Sequence, residues 1–201
     1  MGFIEHFIDK RTLDVDILST DPELRRAVVL TTGRFNPVHD QHSELFESMK
    51  MGVPTRKRYV FVVVGEKQNA ANLFNFETTQ AAIGACHPDI SVIKMPPLIP
   101  QNGLKVLKTL RSRCPAGSVY VSGNLPHKII AHMGGYYLGP RNRIGISATE
   151  VRSYMIAGDH RWENYVPKQA RPIYQQAMKS EEFKIAKDIP ARPRCFGLVK
   201  C

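Results

Sequence analysis

The sequence predicts an α/β protein built on a doubly wound parallel sheet, and three observations carry that reading. From residue 27 to about residue 180, short apolar runs alternate with amphipathic stretches of helix length. That order builds a parallel sheet with helices on both faces. The run at 59–64 (YVFVVV) is apolar on both of its sides, as strands buried between two helical layers are. A Gly-Arg-Phe-Asn-Pro loop, residues 33–37, stands where the first strand gives way to the first helix.

Taken in order, 27–31 reads as a strand, 40–51 as a helix and 59–64 as the second strand. A helix at 78–85, a short strand at 91–94, a helix at 103–113 and a strand at 119–122 follow. The segment MGGYYLGP then reads as a Gly-rich loop, with 143–146 a candidate fifth strand and helices at 148–157 and 168–178. Ahead of this domain, residues 1–26 form a helical extension. Phe3, Ile4, Phe7 and Ile8 recur there at helical spacing, and Asp21-Pro22-Glu23 marks a second helix start. Its expected role is packing on the domain or on a neighbouring subunit. Residues 181–201 form a basic tail interrupted by Pro190 and Pro193, read from Phe183 onward as a surface strap or a partly disordered end.

Composition narrows the function classes. A chain of 201 residues with 43% hydrophobic and 23% charged residues can bury a core without disulfides or a structural metal. No apolar run approaches the roughly 20 residues of a membrane span, and the first residues lack a signal pattern. Cys86, Cys114, Cys195 and Cys201 stand singly, without CxxC or zinc-type spacing. Reduced thiols, a cytoplasmic setting, no membrane and no protein-bound metal are therefore expected. The net charge of +10 calls for an anionic partner, either nucleic acid or small molecules bearing phosphates.

Three constellations carry the chemistry. In TTGRFNPVHDQH, residues 31–42, Gly33 allows a phosphate to approach the backbone, and His39 and His42 stand three apart at a helix start. A helix N-terminus presents free N–H groups and a partial positive charge, and Arg34 adds a forked cation. In GISATEVR, residues 145–152, Ser147 caps a second helix, Thr149 lies in its first turn, and Arg152 projects from the same side one turn on. In VYVSGN a strand ends in Ser122, Gly123 and Asn124, offering backbone to a flat base or ribose. All three converge on the crevice outside the carboxyl ends of a doubly wound sheet, where ligands of such folds bind.

Together these motifs resemble the cytidylyltransferase-like (Rossmann-like) nucleotidylyltransferase superfamily, with its (H/T)xGH and ISSTxxR-like motifs. Over about residues 27–180 the chain looks most like nicotinamide-mononucleotide adenylyltransferase of the archaeal type. The matching features are Ser122-Gly123-Asn124, Ser147–Arg152, Gly158-Asp159 and Val166-Pro167. Gln41 stands where the superfamily's glycine falls, and Lys105 where an aromatic is typical. The resemblance implies one domain with strand order 3-2-1-4-5, a homo-oligomer, and transfer of AMP from ATP to nicotinamide mononucleotide with Mg2+ (magnesium) as cofactor. It further implies His39, His42 and Arg152 as catalytic residues. ATP would meet Gly33, Arg34, Phe35, Asn36, His39, His42, Ser122, Gly123, Asn124, Ile146, Ser147, Thr149 and Arg152, and the acceptor would meet Asn102 and Thr32. Two other readings stay open: a related transferase using CTP or another phosphorylated acceptor, and a nucleic-acid-binding protein on a degenerate transferase fold. The second draws on the net charge and on Lys105, Lys108, Arg111 and Arg113 along one helix. It is the weaker of the two, because no aromatics interleave with these cations.

Overall fold

In the computed structural model the described residues are 28–50, 57–65, 67–97, 100–121, 125–139 and 145–190. The N-terminal extension, Ser122-Gly123-Asn124 and the chain beyond residue 190 lie outside them. The strands are β1 (Val29–Gly33), β2 (Arg58–Val63), β3 (Ser91–Met95), β4 (Val119–Val121) and β5 (Tyr137–Gly139). The helices are α1 (Asp40–Ser48), α2 (Phe76–Cys86), α3 (Gly103–Arg111), α4 (Leu125–Gly134), α5 (Ala148–Ala157), α6 (Arg171–Ala177) and α7 (Glu181–Asp188). Among the described residues no helix is long and apolar enough to cross a membrane.

The strands form one sheet of order β3-β2-β1-β4-β5, every neighbouring pair parallel. The winding reverses between β1 and β4, which is where such a sheet opens a crevice. Alternation along the strands feeds two separate cores. Val29, Val60, Val62, Val119 and Val121 pack with side chains of α1, α2, α5, α6 and α7 on one face. Leu30, Phe61, Tyr120 and Leu138 pack with Val106 and Leu110 of α3 and Ala131 of α4 on the other. The doubly wound arrangement expected from the alternation is therefore present, with five strands.

Local chemistry sets most of the boundaries. Asn75 caps α2, its side-chain oxygen accepting from Thr78 N at 2.8 Å, so this helix starts two residues before the expected 78. Ser147 caps α5, and Gly158 closes it in the left-handed conformation at φ 70°. The expected limits of that helix, 148–157, are those observed.

Two segments depart from the sequence expectation. The fifth strand is Tyr137–Gly139, inside the segment read as a Gly-rich loop, and Gly145 and Ile146 of the expected 143–146 strand are not in a strand. The glycines there have separate duties. Gly134 is the last residue of α4, and Gly135 turns the chain at φ 72°. Gly139 lets β5 close on β4, since a Cβ at that position would stand 2.9 Å from Val121 Cγ2. The second departure is at the C-terminal end. Instead of a strap from Phe183, residues 181–188 form α7, capped by Ser180, with Phe183 and Ala186 buried. The Phe183 ring stacks on Phe74 with centroids 5.6 Å apart.

Phe183→Ala should destabilise the chain by about 3 kcal/mol, the usual cost of emptying an aromatic site, read as a lowered midpoint in urea. A second prediction concerns His87, which is 3% exposed at the end of α2. Burial holds its pKa below the usual histidine value, and Lys50 acts in the same direction against Glu47 and Asp89. A depressed pKa means that the fold favours the neutral ring. Its contribution to stability should be present above the unfolded value of about 6.5 and fall away as pH drops through the folded pKa. His87→Gln should flatten that acid-side decline in a series of urea titrations from pH 7 to pH 5.

Candidate active site

The loop from β1 to α1 is the scaffold of the site. Phe35 adopts φ 49°, a left-handed conformation rare for a bulky residue, and its ring lies against Gly33. A Cβ on Gly33 would fall 2.8 Å from Phe35 Cζ, so the glycine is required by this close approach. The Asn36-Pro37 peptide is cis. Asn36 is 2% exposed and binds the backbone of Phe74 at both ends of its amide, Nδ2 donating to the Phe74 carbonyl at 2.6 Å and Oδ1 accepting from Phe74 N at 3.2 Å. Two residues on, Val38 N donates to the Tyr174 hydroxyl at 2.8 Å. Tyr174 is fully buried, and burial pushes its pKa far above the usual phenol range, so this hydroxyl stays protonated.

This anchored loop delivers two imidazoles to one helix end. His39 is the N-cap residue of α1 in an extended conformation, with its side chain making no cap hydrogen bond. Its carbonyl accepts from His42 N at 2.8 Å and Ser43 N at 3.1 Å, which starts the helix. The His39 and His42 rings lie with centroids 3.9 Å apart, and the His42 ring meets Phe35 edge-on at 5.0 Å. The spacing of three therefore does what the sequence predicted and sets both rings on one side of the helix start.

The second helix start is tied directly to this one. Arg152 of α5, 6% exposed, donates from Nη1 to the Asn36 carbonyl at 2.7 Å and from Nη2 to Thr149 Oγ1 at 3.0 Å. Ser147 Oγ accepts from Glu150 N at 3.3 Å. Gly145, at φ 112°, faces Gln41 so closely that a Cβ on it would lie 3.2 Å from Gln41 Nε2. The residue that replaces the expected glycine in the first motif thus contacts the turn that precedes the second. The starts of α1 and α5, with their imidazoles, hydroxyls and guanidinium, are thus brought together at the carboxyl edge of the sheet. That array is suited to an oligoanion.

The remaining candidates are placed less centrally. Arg34 is half-buried and donates from Nη1 to the Ala71 carbonyl at 3.4 Å. Ile146 is half-buried just ahead of Ser147. Thr32 is 3% exposed, and its hydroxyl is hydrogen-bonded to the Tyr120 hydroxyl beneath the sheet. Asn102 lies in the turn after β3, with Nδ2 donating to the Pro97 carbonyl at 3.1 Å. Ser122, Gly123 and Asn124 follow β4 directly, outside the described residues. Sequence reasoning missed Tyr174 and Phe74 as the supports of the loop. Nothing local to residue 174 signals a partner 136 positions away.

Fold and site define a class: a doubly wound, Rossmann-like α/β sheet in which two helix N-termini are tied together at the carboxyl edge. Among solved structures the chain is similar to a bifunctional NMN adenylyltransferase/ADP ribose pyrophosphatase from Francisella tularensis, described as complexed with AMP and a Mn ion. The TM-score is 0.62 at 14% sequence identity, over 80% of this chain and 52% of that one. The chain thus spans about half the length of that protein, and the likeness is one of fold. No protein-family model and no curated protein matches the sequence.

Tyr174→Phe removes the acceptor of the buried Val38 N–H while keeping the ring. The expected loss is about 1–2 kcal/mol of stability, measured by urea denaturation, and an unchanged midpoint would mean that the loop is held by other bonds.

Proposed function

We propose that this chain is a nucleotidylyltransferase that transfers AMP from ATP to a phosphorylated acceptor, nicotinamide mononucleotide, releasing pyrophosphate and forming NAD. One observation carries the reading: Arg152 reaches back to the Asn36 carbonyl at 2.7 Å. That bond ties the hydroxyl-and-guanidinium helix start to the loop bearing the paired imidazoles. The two sequence motifs so joined are those that resemble the superfamily, and the Francisella tularensis protein of like fold is named for NMN adenylyl transfer.

In this reading an acceptor phosphate oxygen attacks the α-phosphorus of ATP, and the bond from that phosphorus to the α,β-bridging oxygen breaks, so that pyrophosphate leaves with its β,γ bridge intact. A phosphate nucleophile is ionised near neutral pH, so no strong general base is needed. Catalysis rests on alignment and on donors preset for the charge of the transition state. His39 and His42 donate to the phosphates, Arg34 and Arg152 neutralise them, and Ser147 and Thr149 hold the leaving pyrophosphate. Gly33, Phe35, Asn36 and Ile146 shape the ATP pocket, Ser122, Gly123 and Asn124 complete its adenosine side, and Asn102 meets the acceptor, while Thr32, buried with its hydroxyl on Tyr120, supports the strand end rather than touching the acceptor. Among the described residues no group of three His, Cys, Asp or Glu side chains could cage a metal. The donors present suit phosphate oxygens, so Mg2+ would be carried on the nucleotide, where it screens the phosphate charge.

Incubated with ATP, Mg2+ and nicotinamide mononucleotide, the chain should form NAD and pyrophosphate, followed by an alcohol dehydrogenase cycling assay. His42→Ala should lower kcat by about 10²-fold, the loss of one preorganised donor. Arg152→Lys cannot reproduce the fork between Asn36 and Thr149 and should lose about ten-fold or more. Pyrophosphate release only with CTP or with another acceptor would redirect the substrate assignment. No release with any nucleotide and acceptor pair would overturn the enzyme reading.

A further inference from the structure

The outer side of α3 and α4 is a second surface, which adenylyl transfer does not use. α3 and the turn after it carry Lys105, Lys108, Arg111 and Arg113 and no Asp or Glu. α3 turns Val106 and Leu110 inward and leaves Lys105, Lys108 and Arg111 exposed, with Leu104 at 86% exposure. α4 leaves Ile129 and Met133 outward at 40% and 57%. Arg111 Nη2 donates to the Met133 carbonyl at 3.4 Å, which brings the two outer sides together. Among the described residues none of Lys105, Lys108, Arg111 and Arg113 is in an ion pair. Uncompensated charge beside exposed aliphatic side chains marks a surface with a partner.

The sequence ahead of β1 has the complementary character. Residues 1–24 hold six acids, among them Glu5, Asp9, Asp14 and Asp16, against two cations, Lys10 and Arg11. Between them stand Phe3, Ile4, Phe7, Ile8, Leu13, Val15, Ile17 and Leu18. The described chain begins at Val28, whose side chain packs against the same core layer that α3 and α4 cover. The 24 residues of that segment can extend up to about 3.3–3.6 Å each, several times the length of the nine-residue helix α3 at about 1.5 Å per residue.

We propose that residues 1–24 dock on the outer side of α3 and α4, with acids on Lys105, Lys108 and Arg111 and aliphatic side chains on Leu104, Ile129 and Met133. The rival occupants match only part of the surface. A second copy joined by two-fold symmetry would set the same basic face against itself. A polyanion such as RNA would pair with the cations and leave the aliphatic side chains in water. A tethered segment matches both and acts at high effective concentration. The docking is independent of the proposed reaction, and its test does not read activity.

The test uses the full chain carrying Leu104→Cys or Met133→Cys, exposed positions where substitution is tolerated. Alkylation at each site is followed by peptide mass spectrometry. Labelling should be about ten-fold slower in this chain than in one that also carries Asp14→Lys and Asp16→Lys, and it should speed up with salt. Adding Lys105→Glu and Lys108→Glu to the Asp14→Lys, Asp16→Lys chain should restore protection, which a merely structural effect of either pair would not do. Equal rates in all chains would overturn the proposal. So would protection that grows with protein concentration, which would assign the face to a second copy, or protection conferred only by added RNA or phosphatidylserine vesicles.

Discussion

A single guanidinium organises the carboxyl edge of this protein. Arg152 is buried on α5 and donates to the carbonyl of Asn36, 116 positions earlier in the chain. A buried charged donor must be satisfied or the fold loses several kcal/mol, so the bond is a constraint on how α5 may approach the β1–α1 loop. Once it forms, the start of α5 has one orientation towards the start of α1. The contact of Gln41 with Gly145 closes the same gap from the other helix.

The loop that receives Arg152 is held from three sides, and each hold belongs to a different part of the chain. Asn36 clasps the backbone of Phe74 ahead of α2, Val38 hangs from the hydroxyl of Tyr174 on α6, and Phe183 of α7 stacks on Phe74 in turn. Phe74 and Tyr174 also touch, with ring centroids 4.8 Å apart. The C-terminal helices thus act as supports for a loop near the start of the described chain. Such preorganisation is what an electrostatic site requires, because donors that need no rearrangement lose nothing when charge develops.

The two faces of the sheet have diverged in character. On one, five helices enclose the loop and the paired imidazoles. On the other, α3 and α4 cover Tyr120, Tyr136 and Cys114, where burial pushes the Tyr136 hydroxyl and the Cys114 thiol each up to about 12. That layer is chemically quiet inside and strongly basic outside. Three of the chain's cations, Lys105, Lys108 and Arg111, are exposed along the outer side of α3, apart from the helix starts of α1 and α5.

Much of this was legible in the residues themselves. Alternating apolar runs foretold the parallel sheet, and the spacing of His39 and His42 and the Ser147 cap foretold two helix starts, because periodicity and capping are local properties. Local signals misled where one residue type serves several ends. The glycines of 134–139 read as a loop, yet Gly134 ends a helix and Gly139 lets an edge strand close on Val121. Phe183 read as part of a tail because its partner, Phe74, is more than a hundred positions away. What the sequence by itself determined was the kind and order of the elements and the chemistry at their ends. Only the tertiary structure decided which ends meet, since the bonds from Arg152 to Asn36 and from Val38 to Tyr174 join residues more than a hundred positions apart, and only the folded sheet brings them within hydrogen-bonding distance.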